Sequence, residues 1–204
     1  MSQASVFRIL FALCGAAMLV IRVYYQSRVL HDSRKTTVTG NNWRLIPTAV
    51  AAATSIVFSS AYIFFPSVFP WSYARCPDWL RWAGAAMLLA GTLLLWSPHH
   101  HLGASFHSLV VRRAGQALVE SGPYRSIRHP IYTAYFLDYL GGGLLASSLI
   151  LTFVCVPLFL AGVALRIREG EATMISQFGQ DCVGYVTRTG RFLPSLQSLL
   201  RRGP

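Results

Sequence analysis

Two groups of residues in the second half of the chain have the types and spacing to act on a charged substrate. The first is Arg128-His129-Pro130, followed by Tyr132, Tyr135 and Tyr139 at helical spacing with Asp138 close by. Proline in a first helical turn is a start signal. Arg128 and His129 therefore stand just ahead of a helix N-terminus, whose unpaired N–H groups and dipole favour an anion. The second group is Arg166-Ile167-Arg168-Glu169-Gly170-Glu171, then Gln177-Phe178-Gly179-Gln180-Asp181, Tyr185 and Thr189-Gly190-Arg191-Phe192-Leu193-Pro194. On a helix Arg166 and Glu169 share a face at i,i+3, while Gly170 weakens that helix by about 1 kcal/mol relative to Ala and opens an approach to the backbone. A guanidinium can orient a carboxylate bidentately. Glu169, Glu171 and His129 are the candidate bases should a reacting group have to lose a proton.

The elements that position these groups are membrane helices. The chain has 204 residues, 53% apolar and only 12% charged, against about 25% charged in soluble domains. Five stretches hold enough apolar residues to cross a bilayer: roughly 5–24, 45–66, 79–97, 131–147 and 149–167. The last two are separated only by Ser147-Ser148, which forces a tight antiparallel hairpin. The fourth is short, and its Gly141-Gly142-Gly143 is expected to thin or break the helix. Basic residues are retained on the cytoplasmic side. Segments 25–44, 98–130 and 166–204 hold fourteen of them, the opposite side holds Arg8, Arg75 and Arg81, and Arg22 marks an inner helix end. This places the N-terminus outside and the C-terminus inside. It also explains the net charge of +11 without a nucleic-acid partner. Arg8 ahead of an apolar run has the layout of a secretory signal, but the basic cluster after Arg22 fits a retained helix better.

Other features of the sequence carry weaker signals. Cys14, Cys76, Cys155 and Cys182 are scattered, with no Cys-x-x-Cys pair, so they indicate neither a disulfide framework nor a zinc site. His99-His100-His101 with His107 admits a membrane oxygenase with clustered histidine ligands. Three adjacent histidines on a helix point in different directions, however, and no metal site is assigned. Asp138 inside a span is either functional or paired with a polar group on a neighbouring helix. The plain alternative for Arg128, Arg166 and the tyrosines is an interfacial role, snorkelling or forming an aromatic belt.

The run Leu118-Val119-x-x-Gly122-x-Tyr124-x-x-x-Arg128-His129-Pro130-x-Tyr132, followed by Arg166, the acidic cluster, Phe178-Gly179, Tyr185 and the Thr-Gly-Arg ending, resembles the integral-membrane methyltransferases related to isoprenylcysteine carboxyl methyltransferase. The resemblance covers roughly residues 102–194. It implies S-adenosylmethionine as methyl donor, and no strand with a Gly-x-Gly loop is present to hold that cofactor in the soluble manner. It assigns cofactor contacts to Gln116, Ala117, Leu118 and Val119, to Tyr124, and to His129, Pro130, Ile131 and Tyr132. It assigns Arg166 to the substrate, with Arg128 and Glu171 completing the catalytic set. Where the family carries Glu-Glu, this chain has Gly170-Glu171, so either Glu171 or Glu169 supplies the carboxylate that reaches the cofactor. Gln116 stands where relatives often have His, and Cys182 where they often have Tyr.

The expected protein is therefore all-α and polytopic, with about five transmembrane helices and a cytoplasmic C-terminal helical cap. Residues 1–97 form the first three spans, and residues 98–204 form the cofactor-binding and catalytic region. The expected activity is methyl transfer from S-adenosylmethionine to a lipid-like acceptor entering from the bilayer, prototype the carboxylate of an isoprenylated cysteine. The alternatives are a sterol-type reductase using NADPH, which looks similar in the C-terminal half, and a non-enzymatic membrane scaffold or transporter subunit.

Overall fold

The computed structural model describes residues 2–32, 37–38, 42–102, 111–112 and 118–195. Each of the five apolar stretches is helical: α1 is Gln3–Asp32, α2 Ile46–Phe64, α3 Asp78–Leu102, α4 Pro130–Ala146 and α5 Val156–Phe178. A short α6, Gln180–Arg188, follows across Gly179. Apart from these there is a two-residue antiparallel ladder, β1 (Thr37–Val38) on β2 (Val111–Arg112). A helix satisfies its backbone groups internally, which hydrocarbon demands. Leu13, Leu19, Val20, Ile56, Val57, Leu93 and Phe153 all face outward, as a bilayer allows and water would not.

Among the described residues, four helices are long and apolar enough to cross a membrane, the fourth running continuously from Leu151 to Phe178. It opens with a π-helical turn, Leu151–Cys155, ahead of Pro157. At 17 residues, α4 is about 25 Å long, shorter than the ~30 Å hydrocarbon core. The hairpin expected between the last two spans forms as a tight turn. Ser147 caps α4 in the left-handed conformation with φ 54°, and the Ser148 N–H donates to the Gly143 carbonyl at 2.9 Å. The segment after α2 braces this turn, with the Ala74 N–H on the Ser147 carbonyl at 2.8 Å.

The glycine triplet does not break α4, which runs through it continuously; it thins the helix. Its role is approach. A Cβ on Gly141 would lie 2.5 Å from the Leu88 nitrogen, and one on Gly84 of α3 would lie 2.6 Å from the Leu145 nitrogen. Thus α3 and α4 pack backbone to backbone through small residues, the usual way membrane helices gain contact. Asp138 lies in the same seam, where its Oδ1 accepts from Thr92 Oγ1 at 3.3 Å. This is the polar-neighbour reading of that acid.

Two apolar clusters run along the bundle. One joins α1, α2, α3, α4 and the π-helical turn ahead of α5 through Phe7, Phe11, Tyr62, Leu88, Leu145, Leu151 and Cys155. The other joins α2, α4 and α5 through Ala51, Phe159, Val163 and Ile167, with Tyr132, Tyr135 and Tyr139 packed against it. The second cluster ends one residue beyond Arg166, so packing fixes the rotation of α5 at the point where its polar residues begin.

Candidate active site at the start of α4

Pro130 occupies the first turn of α4 and is buried. Arg128 and His129 are therefore held between a short helical turn, Gly122–Arg125, and the helix itself. The C-terminal segment returns to this point. The Arg128 N–H donates to the Gly190 carbonyl at 2.8 Å, the His129 N–H to the Arg191 carbonyl at 3.1 Å, and the Gly190 N–H to the Ser126 carbonyl at 3.0 Å. Thr133 Oγ1 adds a bond to the Phe192 carbonyl at 2.8 Å. Residues 190–192 thus lie alongside 126–129 like a short parallel strand pair.

Glu171 closes the junction from α5. Its Oε1 accepts from His129 Nε2 at 3.2 Å, Arg191 Nε at 3.2 Å and Arg128 Nε at 3.4 Å, and its Oε2 accepts from Arg191 Nη2 at 2.7 Å. The carboxylate side chain is only 15% exposed. A half-buried carboxylate is tolerable because its lone pairs meet charge-assisted donors. Arg128 also donates through Nη1 to the Val186 carbonyl at 2.7 Å and to the Thr189 carbonyl.

Tyr185 of α6 is buried and donates its hydroxyl to the Tyr124 carbonyl at 2.8 Å. Burial pushes the Tyr185 phenol well above the usual phenol range, and the nearby Glu120 charge pushes the same way. Burial does the same for Tyr124, reinforced by Tyr185 and Tyr132. Burial and Glu171 both push the Cys182 thiol up, with Arg128 opposing them. These groups stay neutral at physiological pH and serve as packing and hydrogen-bonding surface.

The residues expected from the sequence do not all meet at one place. Arg128, His129, Pro130 and Glu171 meet at the junction just described. Tyr132 bridges outward, its ring stacked on His129 at 5.6 Å and within Coulomb range of the Arg166 guanidinium. Leu118, Val119 and Ile131 are half-buried and Tyr124 is buried, while Gln116 and Ala117 lie outside the described residues. Glu169 points elsewhere. It pairs with Arg44 at 3.0 Å, beside an open groove lined by Arg168, Ala172, Thr173 and Ser176. A Cβ on Gly170 would meet nothing within 4 Å, so sterics do not require a glycine there.

Arg191 is the principal residue absent from the expected set. Its signal was the Thr-Gly-Arg ending, whose glycine is demanded by packing: a Cβ on Gly190 would run into the Leu193 carbonyl oxygen. The histidine tract disperses. His99 is buried against Tyr25, His100 stacks on Trp96, and His101 lies over Gly122. His107 lies outside the described residues. Among the described residues no three His, Cys, Asp or Glu side chains group as a metal site.

Residues 82–176 match the sequence profile of the isoprenylcysteine carboxyl methyltransferase (ICMT) family. The protein-S-isoprenylcysteine O-methyltransferase of Xenopus laevis is 29% identical over 131 residues, covering 59% of this chain and 43% of that protein. The cobalt-zinc-cadmium resistance protein CzcN of Cupriavidus metallidurans is 36% identical over 84 residues, covering 41% of this chain and 38% of that protein. The chain thus spans about half or less of the length of these relatives. A solved structure of the eukaryotic intramembrane Ras methyltransferase ICMT superposes with a TM-score of 0.51 at 27% identity, covering 73% of this chain and 52% of that one. Residues 82–176 thus resemble the isoprenylcysteine carboxyl methyltransferase family in sequence, within a chain built as a polytopic helical membrane protein.

Proposed function

We propose that the chain transfers a methyl group from S-adenosylmethionine to a lipid-like acceptor, prototype the carboxylate of an isoprenylated cysteine, at the end of the bundle where α4 begins. The observation that carries this reading is the junction at Glu171. It draws two polar segments, 43 residues apart between Arg128 and Glu171, into one place and leaves Tyr132 between His129 and Arg166. The donor set suits a cofactor made of an amino acid and a nucleoside. It offers a carboxylate, an imidazole, phenols and guanidiniums beside flat aromatic faces, with the bare N-terminus of α4 alongside.

When bound, the cofactor supplies an electrophilic methyl on a sulfonium. A carboxylate acceptor is already ionised at neutral pH, so the chain need not remove a proton. Its residues have to orient and exclude. Arg166 presents a forked donor to the carboxylate, the aromatic cluster Tyr132, Tyr135, Tyr139 and Phe159 on α4 and α5 receives the apolar part of the acceptor, and the returning tail keeps water out. Methyl transfer from a cation to an anion annihilates two charges, so a dry, aligned site favours it. The distribution of basic residues supports a cytoplasmic site, with the C-terminus inside and the N-terminus outside.

Titration of the detergent-purified chain with S-adenosylhomocysteine and with NADPH tests the reading. Micromolar binding of the first, weakened at least tenfold by Tyr124→Ala and His129→Ala, is expected. Binding of NADPH alone would identify a reductase, and binding of neither a scaffold.

A further inference from the structure

The opposite end of the bundle carries a second polar cluster that methyl transfer does not use. α1 contributes Arg8, α2 Tyr62, the segment after it Tyr73, the first turns of α3 Arg81, and the α4–α5 turn Ser147. Arg81 is committed to the protein. Its Nε donates to the Leu145 carbonyl at 3.1 Å, its Nη2 donates to the Tyr62 hydroxyl at 3.2 Å, and its guanidinium lies 4.1 Å above the Phe7 ring. Arg8 is not so committed. Its Nε is buried without a hydrogen-bond partner among the described residues, and the same holds for the Tyr73 hydroxyl and Ser147 Oγ.

These groups are neighbours. The Tyr62 and Tyr73 rings lie 6.0 Å apart, and Arg8 is within Coulomb range of both phenols. Tyr73 bridges to Ser148, the residue after Ser147. Neither guanidinium pairs with a carboxylate among the described residues, Asp78 at the start of α3 included. Buried polar groups are nearly always hydrogen-bonded, and intramembrane charges are nearly always paired. Three orphaned donors from three elements, beside two uncompensated cations, together form a site for an anion with several acceptor oxygens.

The depth of the cluster says which anion is at hand. Trp71, Trp79 and Trp82 are exposed at the same end, and exposed tryptophans collect at the level of lipid headgroups. Phosphate oxygens match a guanidinium fork and accept readily from hydroxyls. We infer that Arg8, Tyr73 and Ser147, with Arg81 beside them, hold the phosphate of one membrane phospholipid in the leaflet opposite the Glu171 junction. The lipid fastens α1 to the α4–α5 turn.

Native mass spectrometry of the full chain, delipidated in detergent and then titrated with phosphatidylglycerol or with inorganic phosphate, tests this inference. One phosphatidylglycerol per chain should bind, at least tenfold more weakly in Arg8→Gln and several-fold more weakly in Tyr73→Phe and Ser147→Ala. Ten-millimolar inorganic phosphate should not displace it. Displacement by inorganic phosphate would mean a free-anion site and overturn the lipid assignment. Unchanged lipid binding in Tyr73→Phe and Ser147→Ala would overturn the site itself, even if Arg8→Gln failed to fold.

Discussion

Arg128 donates to the backbone carbonyl of Val186 at 2.7 Å, across 58 residues of chain. The bond places a cation on the last turn of α6, where free carbonyls and the helix dipole favour it, and the same guanidinium reaches Glu171 from the other side. Arg128 therefore acts as a staple for the returning tail, and its fork is spent on protein atoms. Lysine keeps the charge but cannot serve both carbonyls and the carboxylate together. Arg128→Lys should destabilise the tail by about 2 kcal/mol. Faster proteolytic nicking within residues 180–195 would report this, with the helices of the bundle still intact by circular dichroism.

Gly190 sits where the tail passes the start of α4, and its backbone both donates to Ser126 and accepts from Arg128. A methyl group there collides with the Leu193 carbonyl. Carbonyls cannot rotate away as side chains do, so the chain itself must shift. Gly190→Ala should cost about 2 kcal/mol and weaken S-adenosylhomocysteine binding by at least tenfold, read by calorimetry in detergent. An unchanged affinity would mean that tail closure is irrelevant to the cofactor.

The helices and their hairpin were legible in the sequence because apolar runs and a two-residue polar gap are local signals. The way the tail closes was not, since its bonds go largely to the carbonyls of Val186, Thr189, Gly190, Arg191 and Phe192, which every residue type carries alike. Arg191 stood in a visible motif, but its pairing with Glu171 across 20 residues depends on the turn at Gly179, with φ 56°. The glycine triplet was legible only in part for a related reason: a glycine reads as a break as readily as a thin place until the helix that needs the space, here α3, is known. Glu169 and Glu171 look equivalent in sequence, and two residues on a helix separate them by about 200°, which sends one to Arg44 and the other to His129.

Tyr185 gives the tail docking an alkaline limit. Its buried phenol keeps its proton to higher pH than in the unfolded chain, which titrates near pH ~10. The unfolded state therefore releases the proton first as pH rises. The contribution is complete below pH ~10 and is lost progressively above it, as pH climbs toward the folded-state value. Melting temperature followed from pH 7 to 11.5 should fall on the alkaline side. Tyr185→Phe should lower it by the equivalent of about 1 kcal/mol at pH 7 for the lost bond to Tyr124 and should flatten the alkaline slope.

The α3–α4 seam and the α5 polar stretch make opposite predictions for a glycine. Gly141→Val sets a branched side chain against the Leu88 nitrogen and the Gly84 carbonyl, so the helices must part, at a cost of about 3 kcal/mol. Gly170→Ala meets open space and should stabilise α5 by about 0.5–1 kcal/mol. Thermal denaturation of both variants in one detergent checks the pair, and similar shifts would contradict the seam.

The two acids near Arg166 divide in the same way. Glu169 and Arg44 form a partly exposed ion pair, 23% and 34% exposed, worth about 0–1 kcal/mol and turned away from His129. Glu169→Gln should change methyl transfer by less than about threefold. Glu171→Gln leaves Arg128 and Arg191 without their shared anion and should raise the dissociation constant for S-adenosylhomocysteine at least tenfold. Arg166→Ala should do neither: under the proposed mechanism, which sets this guanidinium against the acceptor, cofactor affinity stays within about twofold while turnover falls at least a hundredfold. A fall in turnover equal to the fall in cofactor affinity would place Arg166 on the cofactor instead. Wild-type turnover would remove it from the site.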